Sequence, residues 1–277
     1  MRYRSPVRPR HRVPLPLTLA AVVLAAACAG GGSPPAPSPV PQPQPGAEAC
    51  AAIGGALAGA VAIVNGSACS PGTSPVVQLN LRDARNLAVG TCSATVIAPR
   101  AVLTAAHCLD GEVAGAGVYL GGVDQVAAAS IHPHPRYREG DPNGLDVGVV
   151  LTTADIPRLP VPLLLSRDAR VGESAVMAGW GRDQFDVGGT LRAGKAAVTA
   201  VGPVYLQTEY SASTSGVCAG DSGGPLLLSE AGTWPVAGVT SLTGNSGCSA
   251  GANYFVNLRN ADVSSFVLGL VPGAARR

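Results

Sequence analysis

Gly220-Asp221-Ser222-Gly223-Gly224-Pro225 is the stretch from which the rest of the chain becomes readable. Glycines on both sides of Ser222 let the backbone turn sharply and expose the hydroxyl free of side-chain crowding. They also leave the amides of Gly220 and Ser222 free to point at one spot, as a developing oxyanion requires. A serine hydroxyl alone is a weak nucleophile and needs a neighbouring base. A glycine-rich serine segment by itself is usually a turn, so the chain must also supply that base.

Thr104-Ala105-Ala106-His107-Cys108 supplies it. Small residues ahead of His107 let a strand end pack tightly while the imidazole reaches outward, and histidine suits general-base work because it titrates near neutrality. The remaining histidines, His11, His132 and His134, read better as surface or structural residues. His132 and His134 sit in the Pro-broken segment Ile131-His-Pro-His-Pro135. Their spacing imitates a metal pair, but no further ligands follow in a suitable pattern, so no metal and no cofactor is expected.

Outside these motifs the chain is weakly charged. Charged residues make up 13% of its 277 residues and the formal net charge is +2, which leaves no basic face for nucleic acid. Aromatics are 4%, so the core must be built from Val, Leu, Ile and Ala. Short apolar runs broken by Gly, Pro, Asn and Asp follow Cys50. They include Val76–Leu79, Cys92–Ile97, Asp146–Leu151, Ser174–Ala178, Leu226–Leu228, Pro235–Ser241 and Tyr254–Leu258. Runs of this length between turn residues predict the strands of a sandwich or barrel. The one helical stretch is Asp262–Leu270 near the end.

The Ser222 and His107 motifs together resemble the trypsin/chymotrypsin family, and most of the chain from about Ile63 to Leu270 can be laid on it. The resemblance implies an all-β fold of two packed six-stranded antiparallel β-barrels with a short C-terminal helix, and serine endopeptidase activity on protein or peptide substrates. Its third catalytic member falls on Asp146, in Asn143-Gly-Leu-Asp-Val-Gly-Val-Val150, where an acid precedes an apolar strand. Asp141 and Asp155 are rival acids without such a strand. The order His107, Asp146, Ser222 agrees with this family and not with the subtilisin or α/β-hydrolase orders. Ala178-Gly-Trp-Gly181 resembles a further landmark of the second barrel. Ser241 matches the serine that bonds the buried acid and opens the strand along which substrate pairs.

The same resemblance assigns the cysteines. Cys92–Cys108 closes the loop carrying His107, and Cys218–Cys248 lies beside the nucleophile and specificity pocket. Cys69 matches a family cysteine whose usual partner in the second barrel is missing here, so Cys50–Cys69 is expected. Six residues before Ser222 the family places the pocket floor, here Gly216. With Val217, Thr243 and Ala252 it implies an uncharged pocket preferring small-to-medium apolar residues, without the aspartate that trypsin-like enzymes use for Lys and Arg. Ile63-Val-Asn-Gly66 resembles the mature N-terminus, with Asn65 in place of a glycine. Cleavage before Ile63 would free an ammonium that inserts beside Asp221 and orders the oxyanion hole formed by Gly220 and Ser222. Because Ala62 precedes that bond, self-cleavage fits the same pocket.

The N-terminal region reads as an address. Residues 1–27 combine a basic stretch, an apolar run and small residues before Cys28, the layout of a secretory signal peptide. Export places the other six cysteines where they can pair. Cys28 followed by Ala29-Gly-Gly-Gly-Ser33 resembles the lipobox of a bacterial lipoprotein, with Ala25 where that motif most often carries Leu. Lipidation of Cys28 is therefore expected, and it is the sole membrane contact implied; the chain is expected at an outer membrane or cell surface, or secreted or periplasmic. Residues 28–48 read as a Pro-rich tether, 49–62 as a propeptide, and 63–277 as the peptidase domain. Within that domain the first barrel should run over about 63–160, the second over about 161–260 and the helix over about 261–270. A monomer is expected. The rival reading is a non-catalytic or dormant surface-tethered binding protein on the same scaffold.

Overall fold

The computed structural model describes residues 45–60, 63–122, 125–141, 143–244, 248 and 250–277. The expected signal peptide, the lipidation site Cys28, residues 28–44 of the expected tether, and Ala62 at the expected cut all lie outside the described residues.

Six strands close the first barrel. They are β3 (Val76–Arg82), β4 (Ala88–Ala98), β5 (Ala101–Thr104), β6 (Gly115–Tyr119), β7 (Gln125–Pro133) and β8 (Gly148–Thr152), in the order β3-β4-β5-β8-β7-β6. On β3 the side chains of Val77, Leu79 and Leu81 alternate with half-buried polar ones, the period of two that a strand with one wet face imposes. β8 is buried almost throughout, because one face fills the barrel while the other meets the C-terminal helix.

The second barrel uses β9 (Ser174–Gly179), β10 (Arg192–Val201), β11 (Tyr205–Tyr210), β12 (Pro225–Leu228), β13 (Val236–Thr243) and β14 (Gly251–Asn257). The ring β9-β10-β11-β14-β13-β12 closes because β9 pairs with both β10 and β12. All these pairings are antiparallel. The all-β, double-barrel architecture expected from the sequence is thus the one found. Phe255, Met177, Leu206 and Leu226 fill the second barrel, so scarce aromatics are replaced by aliphatic volume.

Helix α2 (Ala261–Leu270) ends the fold. Asn260 caps it, its side-chain oxygen accepting from the amides of Asp262 and Val263 at 3.0 and 3.3 Å, which satisfies two otherwise orphaned donors. Val263 and Val267, four residues apart and so on one face, are fully buried.

Residues 45–60, ahead of Ile63, are also folded. Helix α1 (Pro45–Ala52) leads into β1 (Leu57–Ala60), which pairs with β2 (Ser67–Cys69), and β2 in turn extends the second barrel's sheet at β10. α1 begins at Pro45, inside the stretch expected as tether, which the structure therefore shortens. A period too short to stand out from the flanking Pro and Ala residues hid this helix; tertiary packing of Ala49, Cys50 and Ile53 holds it.

Candidate active site

Asp146 is the fixed point of the site. It precedes β8 in the first barrel and is 4% exposed. Its Oδ1 accepts from the His107 amide at 2.9 Å, and its Oδ2 lies 2.7 Å from His107 Nδ1. The Ser241 hydroxyl, on β13 of the second barrel, donates to Oδ2 at 2.6 Å. Burial alone would raise this carboxyl, yet the His107 ring, the Ser241 hydroxyl and the His107 amide together hold it below the ordinary carboxylate value. His107 opens a single 3₁₀ turn after β5, which turns the imidazole from the barrel core toward the cleft. The rival acids Asp141 and Asp155 are exposed and neither bonds His107 among the described residues.

Ser222 lies in a turn that needs its glycines; its carbonyl is held by the first barrel, and among the described residues no hydrogen bond joins its hydroxyl to His107. Gly220 and Gly223 hold φ of +94° and +83°, and a Cβ on Gly223 would lie 2.1 Å from the Thr104 hydroxyl, so only glycine fits there. Ser93, on β4, ties the turn to the first barrel: its amide donates to the Ser222 carbonyl at 2.8 Å and its hydroxyl to the Gly220 carbonyl at 2.8 Å. Among the described residues, neither the Gly220 nor the Ser222 amide donates to an internal acceptor. Two amides thus stay free beside the hydroxyl.

Asp221 anchors the turn from below. Fully buried, it accepts from Gly181 N at 2.8 Å and Cys218 N at 2.9 Å, yet burial pushes its carboxyl up to about 6 despite those bonds and the charge of Arg192. Its socket explains the Ala178–Gly181 motif: a Cβ on Gly179 would lie 2.2 Å from its Oδ1, and one on Gly181 2.6 Å from its Cγ. Ile63 is buried and the next residue, Val64, accepts from Gly216 N at 3.1 Å. Asn65 adopts a φ of 59°, a left-handed turn that Asn tolerates in place of glycine; its side chain donates to the Tyr210 hydroxyl at 3.2 Å.

The residues expected at the specificity pocket are gathered less tightly. Gly216 and Val217 approach the turn, while Thr243 and Ala252 lie on the paired strands β13 and β14. Two further residues shape this region. Tyr210 lies against Gly216, and the buried Asn253 accepts from Val217 N and donates to the Thr208 hydroxyl, both at 3.1 Å. Neither carries a sequence signal, since each acts through a strand partner distant along the chain.

Two clefts open at this site, one at His107 and Asp146 and the other at Gly220. One, of about 410 Å³, is lined by His107, Tyr137, Tyr205, Ser241 and Leu242. The other, of about 520 Å³, is lined by Thr91, Trp180, Gly181, Arg182 and Gly220. Three disulfides brace the surroundings: Cys92–Cys108, Cys218–Cys248 and Cys50–Cys69. The first places two sulfurs near His107, but bonded sulfurs offer no thiolate to a metal. His132 pairs with the Ser130 hydroxyl at 2.8 Å, whereas His134 Nδ1 accepts from the Arg136 amide at 3.1 Å, so the two rings serve different partners.

A family model described as Trypsin matches residues 63–267. Kallikrein-11 of Homo sapiens is 30% identical over 207 residues, 64% of this chain and 70% of that protein. A trypsin of Saccharopolyspora erythraea is 28% identical over 173 residues, 54% of this chain and 74% of its own. Serine protease SP24D of Anopheles gambiae is 32% identical over 191 residues, 61% and 68% of the two chains. A solved structure of HL collagenase superposes with a TM-score of 0.63 at 21% identity, over 76% of this chain and 98% of that one, a likeness of fold.

Proposed function

This chain belongs to the trypsin family and is a serine endopeptidase, and on that premise we propose that Ser222 is its nucleophile, His107 its general base and Asp146 the acid that orients and charges the base. His107 takes the proton of Ser222 as the hydroxyl attacks a peptide carbonyl. Asp146 keeps the proton-bearing Nδ1 toward itself, leaving Nε2 for Ser222, and stabilises the imidazolium that forms. The amides of Gly220 and Ser222 receive the oxyanion. His107 then protonates the leaving amine, and water repeats the cycle on the acyl-enzyme. The observation that carries this reading is the Asp146 carboxylate bonded at 2.7 Å to His107 Nδ1 and at 2.6 Å to Ser241. A buried acid held by three donors has one evident task, which is to fix that ring.

The substrate pairs along β13 from Ser241 and places a small or medium apolar side chain over Gly216, Val217, Thr243 and Ala252. The absence of an acidic residue among these four supports that preference over Lys or Arg. A cut between Ala62 and Ile63 frees an ammonium for the buried Asp221, because a carboxylate without a full partner is costly to keep in the interior. Export through residues 1–27 and lipidation at Cys28 complete the reading. Among the described residues no helix is long and apolar enough to cross a membrane, so an anchor at Cys28 would be the attachment.

Reaction of the intact protein with a fluorophosphonate tests the nucleophile. Labelling that maps to Ser222 and disappears in Ser222→Ala is expected; labelling elsewhere, or none in any processed form, overturns the reading. A cleavage profile on a mixed peptide library tests the pocket, and a preference for Lys or Arg would reverse it. N-terminal sequencing of Ser222→Ala tests self-cleavage, which is refuted by unchanged processing before Ile63 in the absence of other proteases.

A further inference from the structure

Tyr210 is the last residue of β11, where cross-strand pairing sets it opposite Gly251 and one residue from Ala252 on β14. Side chains two apart on a strand share a face, and on β11 that face carries Leu206 and Thr208, both buried in the second barrel. Tyr210 continues the face past its last fully buried residue, and its own side chain is half-buried. There it meets Gly216. A Cβ built on that glycine would lie 3.0 Å from Tyr210 Cδ2 and 3.1 Å from Tyr210 Cβ. The volume that a side chain at position 216 would take is therefore filled by the tyrosine.

Asn65 holds the ring by its far end. Its Nδ2 donates to the Tyr210 hydroxyl at 3.2 Å, and the carbonyls of Ser211, Ala212 and Thr214 lie 3.2, 3.4 and 3.3 Å from the same nitrogen. An amide nitrogen carries two protons, so Asn65 serves these four acceptors two at a time and stays bonded whichever pair it takes. Asn65 is itself pinned. The Ser215 hydroxyl donates to its carbonyl at 3.1 Å, and the Gly216 amide donates to the carbonyl of Val64 at 3.1 Å. The turn between is braced as well, the Ser211 amide donating to Thr214 Oγ1 at 2.7 Å and that hydroxyl to the Glu209 carbonyl at 2.9 Å. Beyond Gly216, the Val217 amide donates to Asn253 Oδ1 at 3.1 Å. The ring thus sits in a frame that fixes the backbone on each side of it. An uncharged pocket floored by a bare glycine would have depth for an aromatic side chain. A fixed ring against that glycine gives it an apolar stop, and a substrate side chain that reaches the stop gains nothing by growing longer.

We propose that Tyr210 is a specificity-determining residue: its ring, anchored by Asn65, sets the depth of the pocket floored by Gly216 and limits the side chain bound there to small and medium apolar groups. This rests on the reading of Gly216 as the pocket floor and goes beyond it in naming what stops the pocket.

The experiment uses the full-length enzyme in the form that reacts with a fluorophosphonate. Matched peptides differ only in the residue before the scissile bond, which is Ala, Val, Leu or Phe. The quantity read is the ratio of kcat/KM for the Phe peptide to that for the Ala peptide within each variant. The fraction of active molecules and any general loss of fold cancel in that ratio, so a merely structural role would not move it. Tyr210→Ala should raise the ratio by roughly 10- to 100-fold, the discrimination that a few methylenes of pocket volume supply. Asn65→Gly keeps the left-handed backbone but frees the ring, and should raise the ratio by about three- to tenfold. Tyr210→Phe keeps the ring without its anchoring bond and should fall well short of Tyr210→Ala. The proposal is overturned if Tyr210→Ala leaves the ratio within about twofold of the parent's, or if Tyr210→Phe raises it as far as Tyr210→Ala does. Where Tyr210→Ala does not fold, Asn65→Gly decides, and an unchanged ratio there overturns the proposal. A parent that prefers Lys or Arg instead sinks the reading of the pocket, and a parent without reaction at Ser222 sinks the nucleophile assignment.

Discussion

Ser241 donates to Asp146 Oδ2 across 2.6 Å and in doing so spans the two barrels, since Asp146 precedes β8 in the first and Ser241 stands on β13 in the second. Barrel packing and the orientation of the His107 ring therefore depend on one shared carboxylate oxygen. His107 and its acid come from the first barrel, and the hydroxyl that completes the acid's shell comes from the second.

Replacing Ser241 by Ala tests that dependence. Asp146 keeps its two bonds to His107, so the ring should stay in place while the carboxylate loses one donor. A hydrogen bond to a charged group contributes about 1.5–3 kcal/mol, and kcat/KM should fall by roughly tenfold or somewhat more. The Asp146 carboxyl sits below its ordinary value in the fold, so its stabilisation is present above the unfolded carboxylate value and is lost as pH falls through the folded one. The stability gap between the parent and Ser241→Ala should accordingly be full near neutrality and shrink on acidification. A gap independent of pH in thermal melts would argue that Ser241 acts only through packing.

Asp221 should give the opposite slope. Burial carries its carboxyl from an ordinary value of 3.8 up to about 6, so the folded chain binds the proton more tightly than the unfolded one. Its contribution is present below the unfolded value and is lost as pH rises through the folded value. In the uncut chain this should cost on the order of 3 kcal/mol between about pH 4 and pH 6. Asp221→Asn removes the titration. The new amide opposes one of the two backbone N–H donors, a cost that does not vary with pH, so the slope of the difference carries the test. Urea titrations at several pH values would show the uncut parent losing ground against Asp221→Asn as pH rises; parallel curves would refute the burial argument.

The Gly220–Pro225 and Thr104–Cys108 stretches made the fold legible because their residue types are demanded locally. Gly223 has no room for a Cβ, and His107 must follow small residues at a strand end. The apolar runs read as strands of a sandwich or barrel and the family resemblance implied two barrels; β3, β4, β8, β9, β12, β13 and β14 fall on or beside those runs. β10 and β11 were harder, since Arg192–Val201 mixes Gly, Lys and Thr with alanines and shows no clean alternation. Arg192 is the sharpest example. A lone arginine between Leu191 and Ala193 reads as a solvated strand end, and its burial depends on Asp183, Gly181 and β2, whose arrival at β10 is set by long-range pairing. Ser93, Tyr210 and Asn253 escaped notice for the same reason: each matters only through a backbone group brought to it by the fold.

The proposed pocket floor, Gly216, can be tested by crowding it. A Cβ on Gly216 would lie 3.0 Å from Tyr210 Cδ2, 3.1 Å from its Cβ and 3.3 Å from its Cγ. An aspartate introduced there as Gly216→Asp must press on a ring whose hydroxyl is itself held by Asn65. Overpacking of this kind costs about 1–3 kcal/mol. Gly216→Asp alone should melt earlier and gain little cleavage after Arg, whereas adding Tyr210→Ala should recover stability and permit that gain. A stable single variant that cleaves readily after Arg would show that the ring yields without cost.

The bond between Cys50 and Cys69 decides what a cut before Ile63 releases. Cys50 lies on α1 and Cys69 at the end of β2, 19 residues apart in sequence and on opposite sides of that cut. Ala49, Cys50 and Ile53 are buried, Glu48 pairs with Lys195 at 2.6 Å, and β1 pairs with β2, so the preceding segment is packed as well as bonded. After cleavage the two pieces should therefore migrate as one species without reductant and separate only when reduced and denatured. If Cys28 is lipidated, the activated domain should likewise stay with the membrane fraction until the bridge is broken. Cys50→Ser with Cys69→Ser should lower stability by about 3 kcal/mol, as expected for a loop of this length. In the cut form that variant should shed the domain into the soluble fraction, because the buried side chains Ala49, Cys50 and Ile53 are too few to hold it. Release of the cut parent without reductant would show that the bridge does not form, and retention of the double-serine variant would show that packing suffices.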